Sequence, residues 1–358
     1  MESITKAKYI DLSIGELLGG PPLEMKQHLA KIIQGEWKGY LEPSGMKNLR
    51  EVIKYKFQHL FENELNVDQI LITTGASLGL TSIYHVIPNK KLLVPQLGFP
   101  LYKKTAEQIG VQLTSYHIGP YVDWDKTLAD IERGFKEGIK SILWNIPHNP
   151  LGVIAPKDVV KSLSDLCSKY NAICISDEVY RDFSRGNKVF SPVQFIPERT
   201  LFVHSLSKAY GVAGIRIGFI IGHPHIIKLL SQVHWNCNMS TSWIAQEAAL
   251  YALNNLDDYT HSLSKKVNEN MSKACEVFNY NGIPFIDPQG GIFICIDVSP
   301  LKISSRKFVS NALNNKNIDL MSGYEFGIEG DSLVRMNCGI NNRDFDEALK
   351  RIIQIYSN

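Results

Sequence analysis

Residues 205–218 read Ser-Leu-Ser-Lys-Ala-Tyr-Gly-Val-Ala-Gly-Ile-Arg-Ile-Gly: one lysine between small hydroxyl residues, then glycines and an arginine. Lys208 can condense with an aldehyde to form a Schiff base. Ser205, Ser207 and Arg216 beside it can hold a phosphate, because hydroxyls and a guanidinium donate well to phosphate oxygens. Pyridoxal 5′-phosphate carries an aldehyde and a phosphate on one small ring and needs both services at once. Taken alone, Lys208 reads more readily as a solvated surface lysine.

Three further segments bear on that choice. Thr73-Thr-Gly-Ala-Ser77 follows an apolar run and opens a helical pattern. Backbone N–H groups at a helix N-terminus favour a phosphate, and Gly75 permits close approach; a plain helix start fits the same residues. Pro147-His-Asn-Pro-Leu-Gly152 is an ordinary turn by composition, or a place where Asn149 donates to the phenolic oxygen of a ring. Ser176-Asp-Glu-Val-Tyr180 follows a fully apolar run over 172–175. Asp177 is either a helix N-cap or the carboxylate partner of a protonated pyridine nitrogen. Each segment alone is weak. Four strand-end sites suited to different parts of one cofactor agree far more strongly.

The elements that must position these residues follow from patterning. Short β-rich runs at 69–73, 91–94, 112–116, 141–144, 172–175, 201–204 and 218–221 alternate with helical patterns such as 157–170. This predicts a mainly parallel sheet with helices on both faces, with ligands beyond the C-terminal strand ends. The tail differs: a long amphipathic helix over 257–281, a strand over 291–297, a helix over 305–315, a strand over 332–336 and a last helix over 343–356. The expectation is an α/β fold with a large cofactor-binding domain over 36–252. A smaller α+β domain is expected from 1–35 and 253–358, since 358 residues are many for a single core.

The chain resembles the class I/II aminotransferases, the fold-type I pyridoxal-phosphate enzymes, from about residue 10 to 355. The Ser-x-Ser-Lys-x-x-Gly-x-x-Gly-x-Arg-x-Gly segment carries the resemblance most specifically. It implies that Lys208 holds the cofactor and moves a proton, that Asp177 pairs with the ring nitrogen, and that Asn149 and Tyr180 bond the phenolic oxygen. Gly75, Ala76, Ser77, Ser205, Ser207 and Arg216 would bind the phosphate, and Phe99 would stack on the ring. Tyr40 matches a tyrosine that reaches the neighbouring subunit's phosphate, which implies a homodimer with shared sites; Thr241 is a looser candidate for the same task. Arg335 and Gly15, together with Asn149, would meet the substrate's α-carboxylate. Trp37, Tyr121 and the unusual segment 234–240 are candidates to shape the pocket. Leu151 stands where the family usually has threonine, a change expected to be tolerated. No second arginine for a side-chain carboxylate can be placed.

Composition excludes other classes. The chain is 44% apolar and 21% charged with net charge +2, which gives no reason to expect nucleic acid or an anionic membrane as partner. No signal-peptide pattern and no membrane-length apolar run occur, so a cytoplasmic protein is expected. Six scattered cysteines without a CxxC pair read as free thiols, not a metal site. No GxGxxG follows the first strand and no Walker segment occurs, which argues against a nucleotide-binding enzyme. There is no spare length for the helix-turn-helix of a regulator built on this fold. The expected activity is amino transfer from an L-amino acid to a 2-oxo acid. Elimination, replacement, cyclisation or oxidation on the same scaffold is the alternative.

Overall fold

The computed structural model describes residues 8–17 and 19–357. The expectations that fall on residues 1–7, Leu18 and Asn358 lie outside them. The first strand, β1 (Ile10–Asp11), is short. Seven strands follow: β2 (Ile70–Thr73), β3 (Lys91–Pro95), β4 (Gln112–Tyr116), β5 (Ser141–Asn145), β6 (Ile173–Asp177), β7 (Thr200–Ser205) and β8 (Gly218–Ile221). They form one sheet in the order β2-β8-β7-β6-β5-β3-β4. Only β8 runs antiparallel to its neighbours. The strand positions expected from the sequence hold to within about two residues.

The reason for this arrangement is visible in the strands. β5 and β7 are buried along their whole length. Continuous apolar strands need cover on both faces, which crossover helices of a parallel sheet supply. The helix Lys157–Lys169 shows how: Val159, Val160, Leu163, Ser164 and Cys167 form its buried stripe, and its charged residues lie outside that stripe.

The C-terminal part builds a second sheet. Strands β9 (Phe285–Ile286), β10 (Phe293–Asp297), β12 (Met321–Ser322) and β13 (Leu333–Asn337) pair antiparallel in the order β12-β13-β10-β9. Strand β11 (Ile318–Asp319) instead pairs in parallel with β1. This draws residues 10–17 onto the second sheet, where Asn337 N–H donates to Leu12 O at 2.9 Å. Residues more than 300 positions apart in sequence thus share one edge.

Two close approaches hold the first sheet's C-terminal edge together. The amide of Asn145, at the end of β5, donates to Asp177 O at 3.0 Å, and its oxygen accepts from Asn149 N–H at 2.8 Å. The turn after β5 is thereby tied to the end of β6. At Gly218, a Cβ would lie 2.8 Å from both Ala76 N and His204 O, so only glycine lets β8 start there.

Candidate active site

A cavity of about 340 Å³ opens at the C-terminal ends of β2, β5, β6 and β7 and is closed by residues 13–15, β10, β12 and β13. Its size suits a small cofactor together with a substrate. Of the site residues expected from the sequence, Gly15, Ala76, Ser77, Phe99, Asn149, Asp177, Tyr180, Ser205, Ser207, Lys208, Arg216 and Arg335 all line it. Gly75 borders it through Arg216, whereas Tyr40 does not line it.

Lys208 sits on a single helical turn, Leu206–Ala209, placed by the end of β7. Ser205 caps that turn, its Oγ accepting from Ser207 N–H at 3.1 Å. The ammonium of Lys208 donates to Gly15 O. Burial, and then the positive charges of Arg335 and Arg216, bring its pKa down to about 8, partly offset by Glu16. A lysine so placed has a usable share of neutral amine near neutral pH.

Asp177 ends β6 and is 3% exposed. Tyr102 Oη donates to its Oδ2 at 2.6 Å and Val179 N–H to its Oδ1 at 3.3 Å. Burial pushes its pKa up to about 6, against the opposing pull of these two donors and of His204. A buried carboxylate with hydrogen bonds but no cationic partner in contact is costly, and a protonated ring nitrogen would relieve it.

Another part of the cavity's lining suits an anion. Gly75 opens the helix Gly75–Val86 at φ +73, and a Cβ there would lie 2.5 Å from Arg216 Nη2. Arg216 itself has φ +60 and donates from Nη1 to Ala213 O at 2.8 Å. The first residues of that helix, Ser77, Ser205, Ser207 and this arginine all line the cavity, a set of groups that suits a phosphate. The two sets of groups together fit a ring that bears a phosphate and a basic nitrogen.

Arg335 lies in the middle of β13, buried. It donates from Nη1 to Asn149 Oδ1 at 2.9 Å and from Nη2 to Ser13 O at 2.6 Å. Its buried Nε finds no acceptor among the described residues. Its guanidinium lies 3.8 Å from the Phe293 ring centroid and 4.8 Å from that of Phe326. Burial lowers its pKa to about 10, which leaves it charged. A charged, partly unsatisfied guanidinium in a cavity wall is ready to receive a carboxylate. Gly15 is fixed by packing: a Cβ there would lie 2.7 Å from Phe293 Cζ. Tyr180, edge-on to Phe293, is buried, and burial raises its pKa.

Other expectations do not meet this cavity. Trp37 is exposed and packs edge-on against Trp243. Tyr121 is exposed, with its hydroxyl 3.4 Å from Asp297. Neither lines the cavity in this chain, and nor does any residue of 234–240. In that segment His234 is buried near Ser82 and Thr241, and burial drops its pKa to about 4. Thr241 Oγ1 lies 3.2 Å from Thr74 Oγ1, behind the start of the helix Gly75–Val86. Tyr40 is 75% exposed and edge-on to Trp235. Leu151 is fully buried in an apolar cluster with Trp144 and Ile146, so a hydroxyl is not needed there.

Sequence reading missed Tyr102, Phe293 and Met321, all of which line the cavity. Tyr102 carried a signal: it lies three residues after Phe99 at the start of a helix, on the same face. Phe293 and Met321 carried none, because their place depends on strand pairing.

Comparison with known proteins agrees with this geometry. The model of the family described as "Aminotransferase class I and II" matches residues 7–352. The chain is 25% identical over 353 residues to an aspartate aminotransferase of Pyrococcus horikoshii, covering 96% of this chain and 89% of that protein. It is 28% identical over 376 residues to kynurenine–oxoglutarate transaminase 3 of Bos taurus, covering 94% and 82%. In fold it superposes on a Thermus thermophilus aspartate aminotransferase mutant with a TM-score of 0.90 at 24% identity, covering 98% of this chain and 92% of that one. With the family match spanning nearly the whole chain, this protein belongs to the class I and II aminotransferases.

Proposed function

We propose that this aminotransferase moves an amino group from an L-amino acid to a 2-oxo acid using pyridoxal 5′-phosphate held in the cavity described above. The observation that carries the reading is the meeting of Lys208, Asp177, Arg216 and Arg335 in one cavity of about 340 Å³. When bound, the cofactor supplies an aldehyde that condenses with amines and a ring that withdraws electrons from the substrate's Cα.

The residues divide the remaining work. Gly75, Ala76, Ser77, Ser205, Ser207 and Arg216 hold the phosphate. Phe99 covers a ring face, and Asn149 and Tyr180 bond the phenolic oxygen. Asp177 keeps the ring nitrogen protonated, with Tyr102 orienting the carboxylate. Arg335, with Asn149 and Gly15 beside it, fixes the α-carboxylate and so aims the Cα–H bond. Lys208 Nζ takes the proton from Cα and returns it elsewhere, which its lowered pKa of about 8 allows near neutral pH.

The proposal extends to assembly. Residues 36–252 form the large domain, and the segments 1–35 and 253–358 form the small one. Tyr40, exposed on its own chain, reaches the phosphate of a second copy in a homodimer. The protein acts in the cytoplasm, without nucleic acid or membrane partners. Among the described residues no helix is long and apolar enough to cross a membrane.

A single-turnover experiment tests the reaction. Cofactor-loaded protein mixed with an amino acid should release one equivalent of 2-oxo acid per site, with no ammonia or hydrogen peroxide. Release of either by-product in stoichiometric amount would refute amino transfer.

A further inference from the structure

We propose that the substrate's side chain is uncharged and apolar, an aliphatic or aromatic group received by a wall of Ile14, Phe293 and Met321. The inference rests on the reading of Arg335 as the α-carboxylate anchor.

Four charged side chains line the cavity among the described residues of this chain: Lys208, Asp177, Arg216 and Arg335. The proposed reaction commits all four, three to the cofactor and one to the α-carboxylate. Among its described residues this chain offers the cavity no further cation for a second carboxylate and no further anion for a side-chain ammonium. Other polar groups that line the cavity are also engaged, and the proposed reaction commits Tyr180 to the cofactor. Ser13 Oγ donates to Asp11 Oδ1 at 2.8 Å, Tyr102 Oη to Asp177, and Asn149 Oδ1 accepts from Arg335.

What surrounds the anchor instead is carbon. Met321 is the direct cross-strand partner of Arg335. Phe293 lies beneath the guanidinium at 3.8 Å, and Phe326 flanks it at 4.8 Å. Ile14 precedes Gly15 on the covering segment and is 58% exposed, at the cavity mouth. A substituent on the Cα of a substrate held by Arg335 must lie among these groups. A carboxylate there would lose its hydration without a partner. Each methylene buried there instead strengthens binding about fourfold.

The test uses the full-length enzyme loaded with pyridoxal phosphate and two readouts. The first is the single-turnover rate constant with leucine, methionine and phenylalanine against aspartate and glutamate. The second is calorimetric binding of unreactive acids, 4-methylpentanoate and 3-phenylpropanoate against butanedioate and pentanedioate. Apolar members should react, and bind, at least about tenfold better than dicarboxylates. Met321→Arg should shift the binding ratio toward butanedioate by about tenfold or more. Should that variant not fold, Ile14→Arg at the exposed mouth serves instead. Butanedioate binding as tightly as 3-phenylpropanoate, or aspartate or glutamate reacting as fast as leucine, overturns the inference; a cation from the partner subunit would produce that result. Absence of binding by either class overturns it too. If the apolar acids bind as expected but no amino acid reacts, the amino-transfer reading fails and the apolar pocket stands.

Discussion

The cavity has a floor and a roof of different character. The floor comes from the C-terminal ends of adjacent strands β5, β6 and β7 and from the helix start at Gly75, and it holds Asp177, Lys208 and Arg216. The roof comes from residues 13–15, β10, β12 and β13, and it holds Arg335 among Ile14, Phe293 and Met321. The floor is polar and densely hydrogen-bonded, with Asn145, Asn149, Ser205 and Tyr102 each tying one strand end to another group. The roof has one charge set in carbon. The difference teaches where two kinds of constraint lie under the proposed function: the floor would serve a fixed cofactor, and the roof whichever side chain the substrate carries.

That division can be broken by experiment. Lys208→Ala should remove the cofactor's covalent anchorage and lower turnover by roughly a thousandfold or more, read from single-turnover kinetics and the visible spectrum. Full activity in that variant would end the proposal for the floor. In the roof, Arg335→Lys should lower kcat/KM by about a hundredfold, since a point charge replaces a fork that bonds both Asn149 and Ser13. The cofactor's absorbance should be unchanged in that variant. Loss of cofactor there would show that floor and roof are not separable.

Smaller effects sharpen the same contrast. In cofactor-free protein, condensation of Lys208 with added pyridoxal phosphate needs the neutral amine. With its pKa brought down from 10.5 to about 8, the rate should rise about fiftyfold between pH 6 and pH 8 and then level off. A rate still climbing steeply at pH 10 would contradict the burial argument. Tyr102→Phe removes a donor that lowers the pKa of Asp177. The carboxyl should then titrate above its present value of about 6, and cofactor affinity should fall about tenfold at neutral pH, more as pH drops. A merely structural tyrosine would lower stability without moving that pH profile.

Much of the floor was legible in the sequence because its residues sit in short segments bound to strand ends. Asp177 ends an apolar strand, Asn149 follows another, and Lys208 lies three residues past a third. A buried strand fixes where its last residue points, so local pattern and place coincide there. Tyr102 escaped notice although its neighbour Phe99 did not, because a hydrogen bond to Asp177 joins positions 75 residues apart. Trp37 and Tyr121 were aromatic and plausible, yet in this chain they pack against Trp243 and reach toward Asp297. Aromatic identity carries no direction.

The sequence by itself placed the residues proposed to hold the cofactor, a lysine, a carboxylate and a group of hydroxyls with an arginine, at the ends of apolar strands, because residue type and spacing are local. Only the tertiary structure decided what surrounds Arg335, the residue that the family resemblance already named as the substrate's anchor. Ser13, Phe293, Met321 and Arg335 become neighbours because β1 pairs with β11, and β10 and β12 flank β13. The first of those pairings joins segments more than 300 residues apart, and the register of all three is set by burial of whole sheet faces, which no local pattern records.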